Sequence, residues 1–364
     1  CPKWGETHYQ GIKRAEQLER EFPGVIADTR RILAQKGHGD AVLVFNNVGN
    51  WPVDTVASAP LDAIYIEVWN PYDRFGDLGE IIEDAKRCAP GKPVVLAAYI
   101  RPYLDGAVSE GQEAALLTMA AISSHGAFHL ALGEDNGILT QAYYVDYTEM
   151  APSFAEEMRR WCDFITRHGH ILYDPSLRDV SKTHMGWDNY EYAFSGCEAS
   201  VHGEAGRVYA VLRESPARKL VSLVNLTASD GCWNKPQKEP EALENIIVTM
   251  AVPAEPAELY AISPETARRS GFPTRWKNAP KGSLFPRASP ASSVGAAWWP
   301  NGRSSYDSKR ERKSHHGVSE FRQPAPRPLR LLAGNAGTLA RRRRHHARAE
   351  DPRRTSRLLC CHHL

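Results

Sequence analysis

The sequence predicts an α/β fold, and three observations carry that expectation. From about residue 14 to 172, short apolar runs alternate with helix-patterned stretches. The runs are apolar throughout, as strands are when helices cover both faces of a parallel sheet. Polar and aromatic residues gather just after each run, and no glycine-rich phosphate loop follows any of them. A (β/α)8 barrel collects its chemistry at the C-terminal strand ends, so it is favoured over a doubly wound nucleotide-binding sheet.

The elements follow in order. Leu18, Phe22, Val25, Ile26, Thr29, Ile32 and Leu33 recur at helical spacing, with Pro23 tolerable at the start of a second helix. Ala41–Phe45 and Ala63–Ile66 read as the first two strands. Phe75, Leu78, Ile81, Ile82, Ala85 and Cys88 trace one helix face, Pro93–Ala98 is a third strand, and an Ala/Leu-rich helix spans about 109–123. Phe128–Leu132 is the fourth strand, and Phe154, Met158, Trp161, Ile165 and His168 mark a last amphipathic helix. A closed barrel needs eight strands, so residues 1–175 are expected to form the C-terminal half of one.

Beyond about residue 177 the period changes. Asn189–Phe194, Arg207–Leu212, Lys219–Asn225 and Asn245–Ala251 are β-rich runs parted by turn residues, predicting an antiparallel β-sandwich over 176–263. From 264 to 364 Pro, Arg, Ser and Gly dominate, and no apolar period remains to offset the entropy of ordering. The expectation is a disordered basic tail in the style of a shifted reading frame, with Trp298 and Trp299 isolated outside any strand.

Charge divides the chain the same way. The net charge is +2, yet residues 268–357 carry 18 Arg and 4 Lys against 5 acidic groups, leaving an acidic body. The Arg341–Arg344 block lacks interleaved aromatics, so a solvated tail is favoured over a nucleic-acid partner. No apolar run reaches the ~20 residues of a membrane span, and no leader is visible at Cys1. The seven cysteines show no zinc-ligand spacing, and Cys360-Cys361-His362-His363 reads as adventitious. His125 and His129 lack evident metal partners, and Trp187, Asp188 and Asn189 read as an interdomain turn.

Chemistry concentrates at Ile64-Tyr-Ile-Glu-Val-Trp69, where Glu67 ends a buried strand between aromatics. A partly desolvated carboxyl can act as proton donor to a glycosidic oxygen. Period-two alternation sets Tyr65, Glu67 and Trp69 on one side and Ile64 and Ile66 on the other. Asn46, Asn47, Asn50 and Trp51 form a second constellation: amides pair with sugar hydroxyls and indole offers an apolar face, although the same asparagines suit a turn. Tyr99 follows the next strand, where core packing is favoured slightly over substrate contact, and Glu134 follows the fourth and would face the same mouth. Asp135 is the weaker neighbour.

Val44–Asn50, Ala63–Trp69, Val95–Tyr99 and His129–Glu134, in this order, resemble glycoside hydrolase family 66, which includes dextranases and cycloisomaltooligosaccharide glucanotransferases. The likeness spans roughly residues 14–260. It implies a (β/α)8 barrel flanked by β domains, a retaining mechanism on α-1,6-glucan, and Glu67 as general acid/base. It also implies an Asp nucleophile on an earlier strand, which would lie before Cys1. Asp28 falls within a helix and Asp40 precedes its strand, so neither is assigned that role. The expectation is therefore an inactive dextranase-like fragment. Alternatives are a non-catalytic carbohydrate-binding remnant or a cyclising glucanotransferase. No cofactor or metal is implied, the partner is an α-glucan, and no membrane partner is expected. The resemblance points to an extracellular setting, with cytoplasmic as the alternative.

Overall fold

The protein is described by a computed structural model over residues 4–9, 12–141, 148–186, 188–189, 191–252, 256–264, 266–271 and 293–299. A hairpin of β1 (Trp4–Tyr9) and β2 (Ile12–Gln17) leads into α1 (Leu18–Gln35). Pro23 does not divide α1, contrary to the sequence reading. It lies in the second turn of one helix, where its missing N–H costs a single backbone bond near the start.

Four parallel strands then pair in chain order: β3 (Val44–Val48), β4 (Ala63–Glu67), β5 (Val94–Ala97) and β6 (Phe128–His129). Between them lie α2 (Val53–Val56), α3 (Phe75–Cys88), α4 (Pro102–Asp105) and α5 (Val108–Ser124). Two strand boundaries are corrected. The first strand starts at Val44 rather than Ala41, because Val42 is solvent-exposed and pairing begins opposite Ala63. The fourth keeps only two paired residues, since the chain then turns into the antiparallel pair β7 (Gly137–Ile138) and β8 (Thr148–Glu149).

Burial follows the periodicity. Ile64, Ile66 and Leu96 are fully buried in one core with Phe75, Leu78, Ile81 and Ile82 of α3. Helix α5 is buried from Gly111 to Ser124 and packs against α3, α6 (Pro152–Arg167) and the β lobe. A helix covered on all sides needs no amphipathic stripe, which is why alanine and leucine recur around it.

Short elements α7 (Gly169–Leu172), β9 (Arg178–Asp179) and α8 (Ser181–His184) lead to the second lobe. Its strands are β10 (Tyr192–Ser195), β11 (Ala199–Ser200), β12 (Val208–Ser215), β13 (Arg218–Asn225), β14 (Ile247–Met250), β15 (Glu258–Ser263), β16 (Thr266–Gly271) and β17 (Ser293–Trp299). β10 and β14 form a separate antiparallel ribbon, and Phe194, Val248 and Met250 pack on a core of Val208, Ala210, Leu212, Val221 and Leu223. The larger sheet is mixed rather than purely antiparallel: β17 runs parallel to both β13 and β15. The reading of Trp298 and Trp299 as outside any strand is thereby corrected, because β13 and β15 leave a gap that only a long-range pairing fills. Residues 300–364, including the arginine block, lie outside the described residues, as does Trp187. Asp188 and Asn189 sit in the expected turn, closed by the Asn189 N–H on the Gly186 carbonyl at 3.0 Å.

The lobes meet without room for a methyl group at the start of α3. A Cβ on Gly76 would come 2.3 Å from the His202 carbonyl oxygen, and one on Gly203 would come 2.6 Å from the Gly76 nitrogen. Helix propensity favours alanine over glycine by about 1 kcal/mol, but the clash is with backbone and requires the lobes to shift. Gly76→Ala is therefore expected to lower stability by about 1–3 kcal/mol, seen as a lower urea midpoint. An alanine variant with an unchanged midpoint would show that the junction can yield.

Candidate active site

β4 delivers Glu67 by alternation. With Ile64 and Ile66 turned into the helix-covered core, Tyr65 and Glu67 take the opposite face of the sheet. Glu67 is 5% exposed, and its Oε1 accepts a hydrogen bond from the Tyr99 hydroxyl at 2.9 Å. Among the described residues its Oε2 receives a long contact from the Asn46 side-chain amide, 3.4 Å. The Tyr65 phenol interacts with that of Tyr99, so polar groups run from β4 to the end of β5 and back to the carboxyl. Burial pushes the Tyr99 phenol well above the usual range, with its bond to Glu67 adding to the effect, and burial likewise raises Tyr65. Both phenols therefore stay protonated and available as donors.

Just past the strand, Trp69 is 37% exposed, and its ring lies 6.0 Å from that of Tyr99 at 51°. Asn46 is exposed on β3, opposite Tyr65 in register. Glu67, Tyr99, Asn46 and Trp69 are thus brought together, and Tyr65 joins them. Sequence reasoning had set Tyr65 on this face without counting it as a site residue, and the alternation was the signal.

The other candidates make different contacts. Asn47 is fully buried, and its amide donates to the carbonyls of Tyr65 (2.8 Å) and Phe45 (3.2 Å). Its assignment to substrate is corrected: it ties β3 to β4, because neighbours on a strand point to opposite faces. Gly49 and Asn50 both have positive φ (62° and 63°) in the turn after β3, and the Gly49 N–H donates to the Glu67 carbonyl at 2.8 Å. Asn50 therefore has a conformational reason to be there, since asparagine tolerates this region. Trp51 packs edge-on to Phe22 of α1, centroids 6.0 Å apart. Glu134 is exposed on a tight turn, where Asp135 and Asn136 take φ of 51° and 57° and the Gly133 N–H donates to the Gly137 carbonyl. Asp28 is exposed on α1 beside Arg31, and Asp40 is exposed before β3. His129 bonds the Ala98 carbonyl through Nε2 at 2.8 Å, and burial holds its pKa down to about 4, so it is neutral at physiological pH.

His125 does acquire partners that no local spacing announced. Its Nδ1 lies 3.1 Å from Asp179 Oδ2 and its Nε2 2.7 Å from the Tyr209 hydroxyl, while Glu83, His125 and Asp179 offer ligand atoms within 4.8 Å of one another. Nε2 is engaged by Tyr209 and Nδ1 faces Asp179, however, and two cations already serve the cluster. Lys86 bonds Glu83 Oε1 at 3.0 Å and also the His125 carbonyl, and fully buried Arg213 bonds the Leu172 carbonyl at 2.7 Å. The geometry is that of a charge-balanced junction between lobes rather than a metal centre.

Burial alone would raise the Asp179 carboxyl, but the His125 contact and bonds from Ser181 outweigh it and hold the pKa at about 2. A depressed carboxylate stabilises the fold above its unfolded pKa and loses that stabilisation as pH falls through the folded value. Stability should therefore drop by about 2 kcal/mol between roughly pH 4 and pH 2 from this group alone. Urea titrations should show a shallower acid slope for Asp179→Asn, whereas an identical slope would rule out the contribution.

The comparisons with known proteins agree on one relationship. The model of glycosyl hydrolase family 66 matches residues 3–280. Two cycloisomaltooligosaccharide glucanotransferases of Niallia circulans are 27% and 28% identical over 154 and 152 residues, each covering 41% of this chain and 15% of the relative. The chain thus matches only a small part of the length of these relatives. A Paenibacillus cycloisomaltooligosaccharide glucanotransferase, solved with cycloisomaltoheptaose, shares the fold with a TM-score of 0.59 at 16% identity, over 67% of this chain and 53% of that one.

Proposed function

We propose, on the premise that the chain belongs to glycosyl hydrolase family 66, that its Glu67 face is the acid/base side of a retaining site for α-1,6-glucan. The single observation that carries this is the placement of the Glu67 carboxyl at a strand tip, bonded by Tyr99 and flanked by exposed Trp69. In this reading β3–β6 are four consecutive strands of a (β/α)8 barrel, and the second lobe is its accessory sandwich.

Glu67 would protonate the leaving glycosidic oxygen and later take a proton from water. Its two oxygens are unequal. Oε1 is held by the phenol of Tyr99, whereas among the described residues Oε2 has the longer 3.4 Å contact of Asn46 and is the one proposed to face a saccharide oxygen. Trp69 offers an apolar face for a pyranose ring, and Asn46 an amide for its hydroxyls. Turnover also needs a nucleophilic carboxylate about 5 Å away. Among the described residues no second carboxylate is bonded into the Glu67 cluster, so the chain alone is proposed to bind glucan without appreciable turnover. The names of the relatives favour cyclising transfer as a second reading of the intact enzyme. An extracellular setting, suited to a polymeric substrate, belongs to the same proposal.

The test combines activity and binding. Purified chain should release no reducing sugar from dextran above background, yet bind isomalto-oligosaccharide by calorimetry. Trp69→Ala should weaken that binding about tenfold, as loss of one stacking surface predicts, while Glu67→Gln should retain it. Hydrolysis abolished by Glu67→Gln would overturn the inactive reading while upholding the acid/base role. Absence of any glucan binding would overturn the site.

A further inference from the structure

We infer a second saccharide subsite in the cavity that the 231–235 loop of the β lobe forms against the loop joining β4 to α3. This rests on the glucan-binding reading of the Glu67 face and extends it. The cavity has a volume of about 410 Å³, within the span of small-ligand pockets, and is lined by Asp73, Arg74, Asp77, Cys232, Asn234 and Lys235.

Its position follows from the chain. The loop that begins with Trp69 reaches the cavity at Pro71, and the Tyr72 N–H turns back onto the Trp69 carbonyl at 3.1 Å. A polymer lying across Glu67 and Trp69 therefore has this cavity next in line. Its lining selects by chemistry. Two carboxylates and two cations leave no net charge, while amide, carboxylate, ammonium and guanidinium groups supply both donors and acceptors. That balance disfavours an anion such as phosphate and equally a metal cation, and suits a neutral ligand rich in hydroxyls.

The walls are also fixed in advance. Trp233 is 3% exposed and donates its indole N–H to the Tyr72 carbonyl at 2.8 Å, and Asn234 donates to Asp73 at 2.7 Å. The Phe75 N–H bonds the Gly231 carbonyl at 3.0 Å and the Trp233 N–H bonds the Asp73 carbonyl at 3.1 Å. A rim held this way loses little freedom on binding, which favours affinity. Among the described residues no donor is bonded to the Asn234 amide oxygen, which can accept from a sugar hydroxyl. Lys235, held at 3.1 Å by Asp230, keeps further N–H donors.

The experiment is calorimetry of the full chain with isomaltose and with isomaltopentaose. Asn234→Ala and Lys235→Ala should each weaken the pentasaccharide about tenfold and leave the disaccharide unchanged, since only the longer sugar reaches the cavity. Lys235 is exposed, so its variant keeps the test meaningful if Asn234→Ala loosens the loop. Equal weakening of both sugars, or none, overturns the subsite. Trp69→Ala separates the two ideas. If it loses both sugars while the two pocket variants bind normally, only the subsite falls. If it binds both normally, the reading of the Glu67 face falls and the subsite with it.

Discussion

The arrangement depends on one constraint, the alternation of side chains along β4. Ile64 and Ile66 enter the core beneath α3, and that commits Tyr65 and Glu67 to the other face. A slip of one residue would place the carboxyl against Phe75 and Ile82, where it would find no donor, and would turn both isoleucines outward. Hydrophobic burial on one side therefore enforces the placement of chemistry on the other. The hydroxyl of Tyr99 then fixes the carboxyl's orientation, which a lone strand could not do.

The contacts that join the two lobes are mostly polar. His125, Asp179, Tyr209, Glu83, Lys86 and Arg213 meet between the lobes, and nearly every group has a partner of opposite charge or a carbonyl. Space there is made by Gly79, where a Cβ would lie 2.5 Å from His125 Nε2, and by Gly126, where it would lie 2.1 Å from an Arg213 nitrogen. Buried charges are tolerable only when satisfied, so such a junction fixes one relative placement of helix and sheet. The loop that carries Trp69 is held by the same principle, through Trp233 and Asn234.

Much of this was legible beforehand. The faces of α3 and α6, the four apolar strands and the position of Glu67 come directly from periodicity, because burial on one side imposes a spacing that residue order records. The likeness to a glycoside hydrolase family was carried by separated motifs, each at a strand end. Adjacent Asn46 and Asn47 illustrate where such reading stops. They are chemically identical, but one reaches solvent beside Glu67 and the other bonds backbone inside the sheet. Asn50, which suits a sugar contact and a turn equally by residue type, takes a turn position with positive φ, as do Asp135 and Asn136.

By itself the sequence determined the local elements, the side of β4 on which the carboxyl lies, and the family. These depend on residue type and spacing along the chain. Tertiary structure decided the pairings between distant segments: Tyr72 with Trp233, His125 with Asp179 and Tyr209, and β17 between β13 and β15. A hydrogen bond across 161 residues leaves no period in the sequence. It exists only because the packed cores of two lobes bring its donor and acceptor within reach.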